Sequence, residues 1–220
     1  MIGDEIVKKV ILFDLDGTLV NSLQDLCDGV NYMLDKMGLP SRSLEEVRGF
    51  VGNGIDMLVR RSVGKNEFNF DEAMKYYREY YNDNLCNKTR PYEGMEKVLA
   101  ELKTKGYKLG IVTNKAQWAS EKIVDCLFKD VFDAVVGTDL EKRKKKPDPE
   151  PVDYALGLLG EERKSAVFVG DSEVDIATAK NAGLDFIGVT WGFRNREIFK
   201  DTEYIAQKTK DILSLCCNFL

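Results

Sequence analysis

The chain has 220 residues, 44% hydrophobic and 31% charged, with a formal net charge of −5 from 32 basic and 37 acidic side chains. Those proportions describe an ordinary folded protein of one or two domains, and the acidic balance gives no footing for a nucleic-acid partner. No run of about 18 apolar residues predicts a membrane-spanning helix, and the acids ahead of the first apolar run argue against a secretory leader.

Val10, Ile11 and Leu12 lead into FDLDGTLV (13–20) and predict a fully buried strand that ends on Asp14 and Asp16. Leu23, Leu26, Val30, Met33, Leu34 and Met37 recur at helical spacing, which predicts an amphipathic helix over 23–37. Ser43 and Glu46 form a capping-box signature ahead of a second helix, and GIDMLVRRSV (54–63) reads as a third. Residues 71–86 read as a fourth, with Tyr76, Tyr77, Tyr80 and Tyr81 as its core and rim. From about residue 92 the pattern alternates. Helices are expected over 94–105, 116–128, 149–160 and 174–183, and strands over 108–113, 132–137, 166–170 and 185–190. Such alternation predicts βαβ units in an α/β, doubly wound parallel sheet. Residues 1–20 and 89–220 are expected to form this core, and 21–88 a small helical domain joined to it by linkers near 19–21 and 88–92.

Five cysteines (Cys27, Cys86, Cys126, Cys216 and Cys217) are scattered, odd in number and without a Cys-x-x-Cys pair. That favours reduced thiols in a cytoplasmic protein over a disulfide framework or a zinc site. Histidine is absent. Carboxylates, lysine and hard metals must then carry any catalysis.

Alternate side chains of a strand share a face, so Asp14 and Asp16 point the same way unless the chain turns between them. Ligands of a doubly wound sheet bind beyond the carboxyl ends of its strands. Three other segments deliver polar residues there: Thr113-Asn114, Gly170-Asp171-Ser172 with Asp175 four residues past Asp171, and Lys146 in the KPDP of 146–149. Taken singly these are commonplace. Asp-x-Asp and Gly-Asp-Ser suit turns, Thr-Asn suits a helix N-cap, and EKRKKK suits a solvated loop. Gathered at one sheet edge, they supply three or four acids, a lysine and small polar donors. That surplus of carboxylate asks for a hard cation with oxygen ligands, for which Mg²⁺ is the usual choice at phosphate sites. One carboxylate could then attack phosphorus while another moves protons, with Thr113, Asn114 and Lys146 donating to phosphoryl oxygens.

The ordered set Asp14-Leu15-Asp16-Gly17-Thr18, Thr113-Asn114, Lys146-Pro147-Asp148-Pro149 and Gly170-Asp171 with Asp175 resembles the four motifs of the haloacid dehalogenase superfamily of phosphatases, over essentially the whole chain. RPYEGM (90–95), LGIVTNK (109–115), KPDPEPV (146–152), VFVGDSEVDIATAKNAG (167–183) and GVTWGFR (188–194) are similar to its phosphoglycolate phosphatase branch. The resemblance implies a helical cap inserted after the first strand. It also implies that Asp14 is the nucleophile and binds Mg²⁺ with the Asp16 backbone carbonyl and the Asp171 carboxylate. The Asp16 side chain becomes the acid/base, and Thr113 with the Asn114 backbone holds the phosphoryl group. Lys146 offsets charge on Asp14 and the phosphate, with Lys145 as the fallback, and Asp175 orients the metal's water or Lys146.

The superfamily places substrate choice in the cap, here in the loop from Arg48 to Gly54. Gly52, Asn53 and Gly54 could offer backbone N–H groups to an anionic leaving group, and Arg48 a charge-assisted bond. Equally, the glycines could only shape a turn while Arg48 faces solvent. Trp191-Gly192-Phe193 is expected as a packed turn. The implied activity is hydrolysis of a small phosphorylated metabolite, 2-phosphoglycolate first. An inorganic pyrophosphatase, a phosphosugar phosphatase or mutase, and an inactive binding protein share the same core residues. A mutase cap usually contributes a histidine, which this chain lacks. Monomer and homodimer stay open.

Overall fold

The computed structural model describes residues 8–139 and 142–217. In chain order, β1 (Val10–Phe13) is followed by a two-residue strand, β2 (Val20–Asn21). Four helices come next: α1 (Leu23–Lys36), α2 (Leu44–Phe50), α3 (Ile55–Val63) and α4 (Phe70–Asn84). The chain returns through β3 (Arg90–Pro91) to α5 (Met95–Thr104), β4 (Lys108–Ala116), α6 (Gln117–Leu127) and β5 (Ala134–Thr138). It closes with α7 (Glu150–Leu159), β6 (Ala166–Gly170), α8 (Glu173–Ala182), β7 (Asp185–Val189), β8 (Tyr204–Ala206) and α9 (Asp211–Cys217).

Six strands form one parallel sheet in the order β5-β4-β1-β6-β7-β8. The strand β1 lies between β4 and β6, and all four of its residues are fully buried. Its alternation explains why. Ile11 and Phe13 join a cluster with apolar side chains of α5, α6 and α9, whereas Val10 and Leu12 join another with α7 and α8. Each face of the strand therefore meets its own layer of helix, which requires a continuous apolar run rather than an alternating one. The chain builds outward from β1 on one side through β4 and β5, then crosses to β6 on the other. That reversal opens a crevice at the carboxyl end of β1, where such sheets bind ligands.

Helices α1 to α4 pack against one another. The Tyr77 ring of α4 lies on Gly29 of α1, so close that a Cβ there would sit 3.1 Å from the ring. Ser43 caps α2 in a capping box with Glu46. The two connections to the sheet are a paired ribbon rather than independent linkers: β2 and β3 run antiparallel, with Val20 opposite Pro91 and Asn21 opposite Arg90. Buried Asp25 of α1 fastens this ribbon by accepting from the Lys88 and Thr89 amides and the Thr89 hydroxyl.

Three departures from the sequence reading have local causes. The strand expected over 108–113 continues to Ala116 as β4, because a register shift after Val112 lets Ala116 pair with Thr138 of β5. The strand expected from 132 begins at Ala134, because Asp133 turns its carboxylate to the Leu109 amide. Neither β8 nor α9 was expected; they are three and seven residues long, too short for a period to emerge. Among the described residues, no helix is long and apolar enough to cross a membrane.

Replacing Asp25 by Ala strands the buried amide and hydroxyl of Thr89 and removes the acceptor of the Lys88 amide. Urea unfolding at neutral pH should show a loss of about 3 kcal/mol in stability.

Candidate active site

Beyond Phe13 the Asp14 amide still donates to the Val169 carbonyl, so the carboxylate leaves the sheet at a fixed point. The chain then turns tightly over Gly17, at φ 90°, whose amide reaches the Val20 carbonyl. A Cβ on Gly17 would lie 2.4 Å from Asp171 Oδ2, and one on Gly192 would lie 2.3 Å from Asp171 Cβ. Two glycine backbones therefore clasp the Asp171 carboxylate, and no larger residue fits at either position.

Asp14, Asp171 and Asp175 bring carboxylate oxygens within 4.8 Å of one another, and all three residues are buried. Facing them is Lys146, 2% exposed, with its ammonium 2.9 Å from Asp14 Oδ1 and 2.7 Å from Asp175 Oδ1. Lys145 instead donates to the Asn53 carbonyl. Asp175 is fully used: its second oxygen accepts from the Ser172 amide and hydroxyl, closing a capping box on α8. Asp171 accepts from the Thr18 hydroxyl and, at 2.7 Å, from the Phe193 amide. Asp14 Oδ1 is held more loosely: Lys146 is its ion-pair partner at 2.9 Å, outside hydrogen-bond alignment.

The charges do not balance. Burial first, then the neighbouring Asp175, push the Asp14 carboxyl up to about 6 against the pull of Lys146. Burial, Asp175 and Asp14 push Asp171 well above the usual carboxylate range. Burial works against the Lys146 cation, but Asp14 and Asp175 hold its pKa above the ordinary value. Three buried carboxylates facing one buried ammonium fit a hard divalent cation held by oxygen ligands, which would supply the missing positive charge.

Asp16 faces a separate set of partners. Its carboxylate takes both oxygens to Lys115 Nζ, at 3.1 and 3.0 Å, and one to the Ser22 hydroxyl. Lys115 is a site residue that the sequence reading missed. It stands two residues past Thr113 on β4, hence on the same face, and that spacing was the available signal. Thr113 and Asn114 are both buried. The Asn114 side chain bridges the Gly52 and Lys146 carbonyls, bracing the helical loop to the lysine segment.

These groups floor a cavity of about 60 Å³ lined by Asp14, Asp16, Thr113, Asn114, Lys115 and the backbone of Gly52 and Gly54. A single water needs roughly 10–15 Å³, so the space suits a compact ligand. Leu58, Tyr77, Tyr81 and Trp118 form the opposite wall. The loop residues divide. Gly54 lines the cavity, whereas Asn53 lies in the adjoining cleft, and Arg48 turns to Glu45 at 3.5 Å and lines neither. Arg194, unforeseen from sequence, also grips this loop by donating to the Arg48 and Val51 carbonyls. Trp191 donates its indole N–H to the Thr18 carbonyl, so residues 191–194 tie the Asp14 turn, Asp171 and the helical loop together.

The raised Asp14 carboxyl has a thermodynamic consequence. Its folded pKa of about 6 exceeds the ordinary 3.8, so it favours folding below about pH 4, and that contribution is lost as pH rises through 6. Without divalent cations, the melting temperature of Asp14→Asn should gain on that of the wild type between pH 4 and 6.5. Added Mg²⁺ should raise the wild type alone, as differential scanning calorimetry at each pH would read.

Residues 11–189 match the sequence profile of the haloacid dehalogenase-like hydrolases. The chain is 35% identical over 215 residues to a phosphoglycolate phosphatase of Aquifex aeolicus, covering 96% of this chain and 98% of that one. It is 38% identical over 199 residues to a phosphoglycolate phosphatase of Haemophilus influenzae, covering 84% and 87%. The crystal structure of a predicted phosphoglycolate phosphatase from Haemophilus somnus superposes with a TM-score of 0.87 at 36% identity, over 94% of this chain and 97% of that one. With a doubly wound sheet, an acid cluster beyond its central strand and a profile match across most of its length, this chain belongs to the haloacid dehalogenase-like hydrolases.

Proposed function

We propose that the protein is a Mg²⁺-dependent phosphatase that hydrolyses a small phosphomonoester, 2-phosphoglycolate first, through an aspartyl-phosphate intermediate. The observation that carries the reading is the Asp14 carboxylate, which lines a small cavity, stands 2.9 Å from the Lys146 ammonium and belongs to a buried cluster with Asp171 and Asp175. The names of its relatives support phosphoglycolate as the substrate. Mg²⁺, bound between Asp14, Asp171 and the Asp16 carbonyl, would supply the positive charge that lets an anionic ester approach three carboxylates.

Asp14 attacks phosphorus in line, forming an acyl phosphate as the bond to the leaving oxygen breaks. Lys146 and the Thr113 hydroxyl hold the transferring oxygens at the end of β4. Asp16 gives its proton to the leaving alkoxide, and Lys115 and Ser22 fix the carboxylate that results. That carboxylate then takes a proton from water as the water attacks phosphorus, which releases phosphate and restores Asp14. Asp175 keeps Lys146 on station.

Residues 21–88 act in this reading as a cap over the cavity, with the β2–β3 ribbon as its hinge. Closure excludes water while the acyl phosphate forms, and opening admits it. Among the described residues no disulfide joins Cys27, Cys86, Cys126 and Cys216, which suits the reducing cytoplasm.

A panel of phosphomonoesters and pyrophosphate, assayed with Mg²⁺, should place 2-phosphoglycolate highest in kcat/KM. Asp14→Asn should lower turnover by about 10⁴-fold or more while the protein stays folded. Retained turnover in that variant removes the nucleophile, and pyrophosphate ranking first removes the substrate.

A further inference from the structure

Two tyrosines of α4 line the same cavity as Asp14. Tyr77 and Tyr81 stand four residues apart on one helix face, with ring centroids 5.0 Å apart, 0% and 3% exposed. Neither phenol oxygen has a hydrogen-bond partner, although both are buried. Tyrosine is normally buried with its hydroxyl satisfied, because an unpaired buried donor costs about 1–3 kcal/mol. Two such donors among the residues that line one cavity call for an acceptor from outside the chain.

We propose that the Tyr77 and Tyr81 hydroxyls are the specificity determinants of this enzyme, donating to a carboxylate on the leaving group of its phosphomonoester substrate. The inference rests on the phosphatase reading above and deepens it. A carboxylate offers two oxygens and several lone pairs, enough to take one phenol on each. Lys115, between Asp16 and the Tyr81 ring face at 5.3 Å, supplies the neighbouring positive charge. Burial keeps both phenols protonated far past neutral pH, so they serve as donors only. Phosphate at the Asp14 end and carboxylate at the tyrosine end define the substrate class: a short phosphorylated hydroxy acid. The apolar remainder of this wall, Leu26, Ile55 and Leu58, offers nothing to a polyhydroxylated leaving group.

The test is the ratio of kcat/KM for 2-phosphoglycolate to that for ethyl phosphate, which keeps the two-carbon ester and lacks the carboxylate. Tyr77→Phe and Tyr81→Phe preserve ring packing and should each cut that ratio roughly tenfold or more, mostly through KM, as expected for a lost bond to a charged group. Each should also raise the ligand-free melting temperature by about 2–4 °C, since an unpaired hydroxyl is removed. Tyr80→Phe, on the same helix but stacked on Tyr32 away from the cavity, should leave the ratio alone. A wild-type preference that survives in both cavity variants overturns the inference while the substrate reading stands. Equal loss on both substrates, or a lower melting temperature, also overturns it, because the hydroxyls would then be structural. If the wild type turns over both esters without preference, the substrate assignment falls and this inference with it.

Discussion

Three buried carboxylates share one buried lysine at the carboxyl edge of β1, and much of the molecule serves to make that arrangement tolerable. Burying one unpaired carboxylate costs several kcal/mol; here Asp14, Asp171 and Asp175 lie together, and the Lys146 ammonium touches Asp14 and Asp175. The fold divides the labour. Asp175 is bound into a helix cap and becomes a strut for Lys146. Asp171 is clasped by glycine backbone and an amide. The residual imbalance falls on Asp171 and on Asp14, the proposed nucleophile. Strain at a functional position, compensated by over-determined neighbours, is the general pattern.

The same edge is where the helical block meets the sheet, and the contacts there are backbone carbonyls gripped by core side chains. Asn114 holds Gly52, Lys145 holds Asn53, and Arg194 holds Arg48 and Val51. Arg194 belongs to the segment that also donates Phe193 N–H to Asp171 and Trp191 N–H to Thr18. The position of the loop over the cavity and the position of the acid cluster are thus set by one short stretch of chain. Side chains holding carbonyls are indifferent to the identity of the residues they hold, which leaves the loop sequence free to vary.

Much of this was legible in the sequence because its signals are local. An apolar run ending in Asp14-Leu15-Asp16, and strands ending in Thr113-Asn114 and Gly170-Asp171, each announce a strand terminus, and a parallel sheet brings such termini together. Lys146 stood out from its run through the proline beside it. The groups that escaped notice depend on distance in space. Lys115 reads as the tail of a strand, and its partner Asp16 lies 99 residues earlier. Tyr77 and Tyr81 do belong to the core of their helix, as their spacing suggests, and only the unpaired oxygens separate them from packing residues. Arg48 carries the expected charge in the expected loop, and Glu45, three residues away on its own helix, stands 3.5 Å from it. The ribbon of β2 and β3 has two residues on each side, below the length at which alternation can be read.

That ribbon places Asn21 directly across from Arg90, so the path into the helical block and the path out of it meet at one point. The sheet therefore sees the whole excursion as a closed loop whose ends are already joined. Nothing in the register of β1 with β4 or β6 depends on how many residues are spent between them. Such a doorway makes the block exchangeable: a larger lid, a smaller one or a bare turn could be hung on the same two strands, and the acid cluster would keep its geometry while the choice of what reaches it changed.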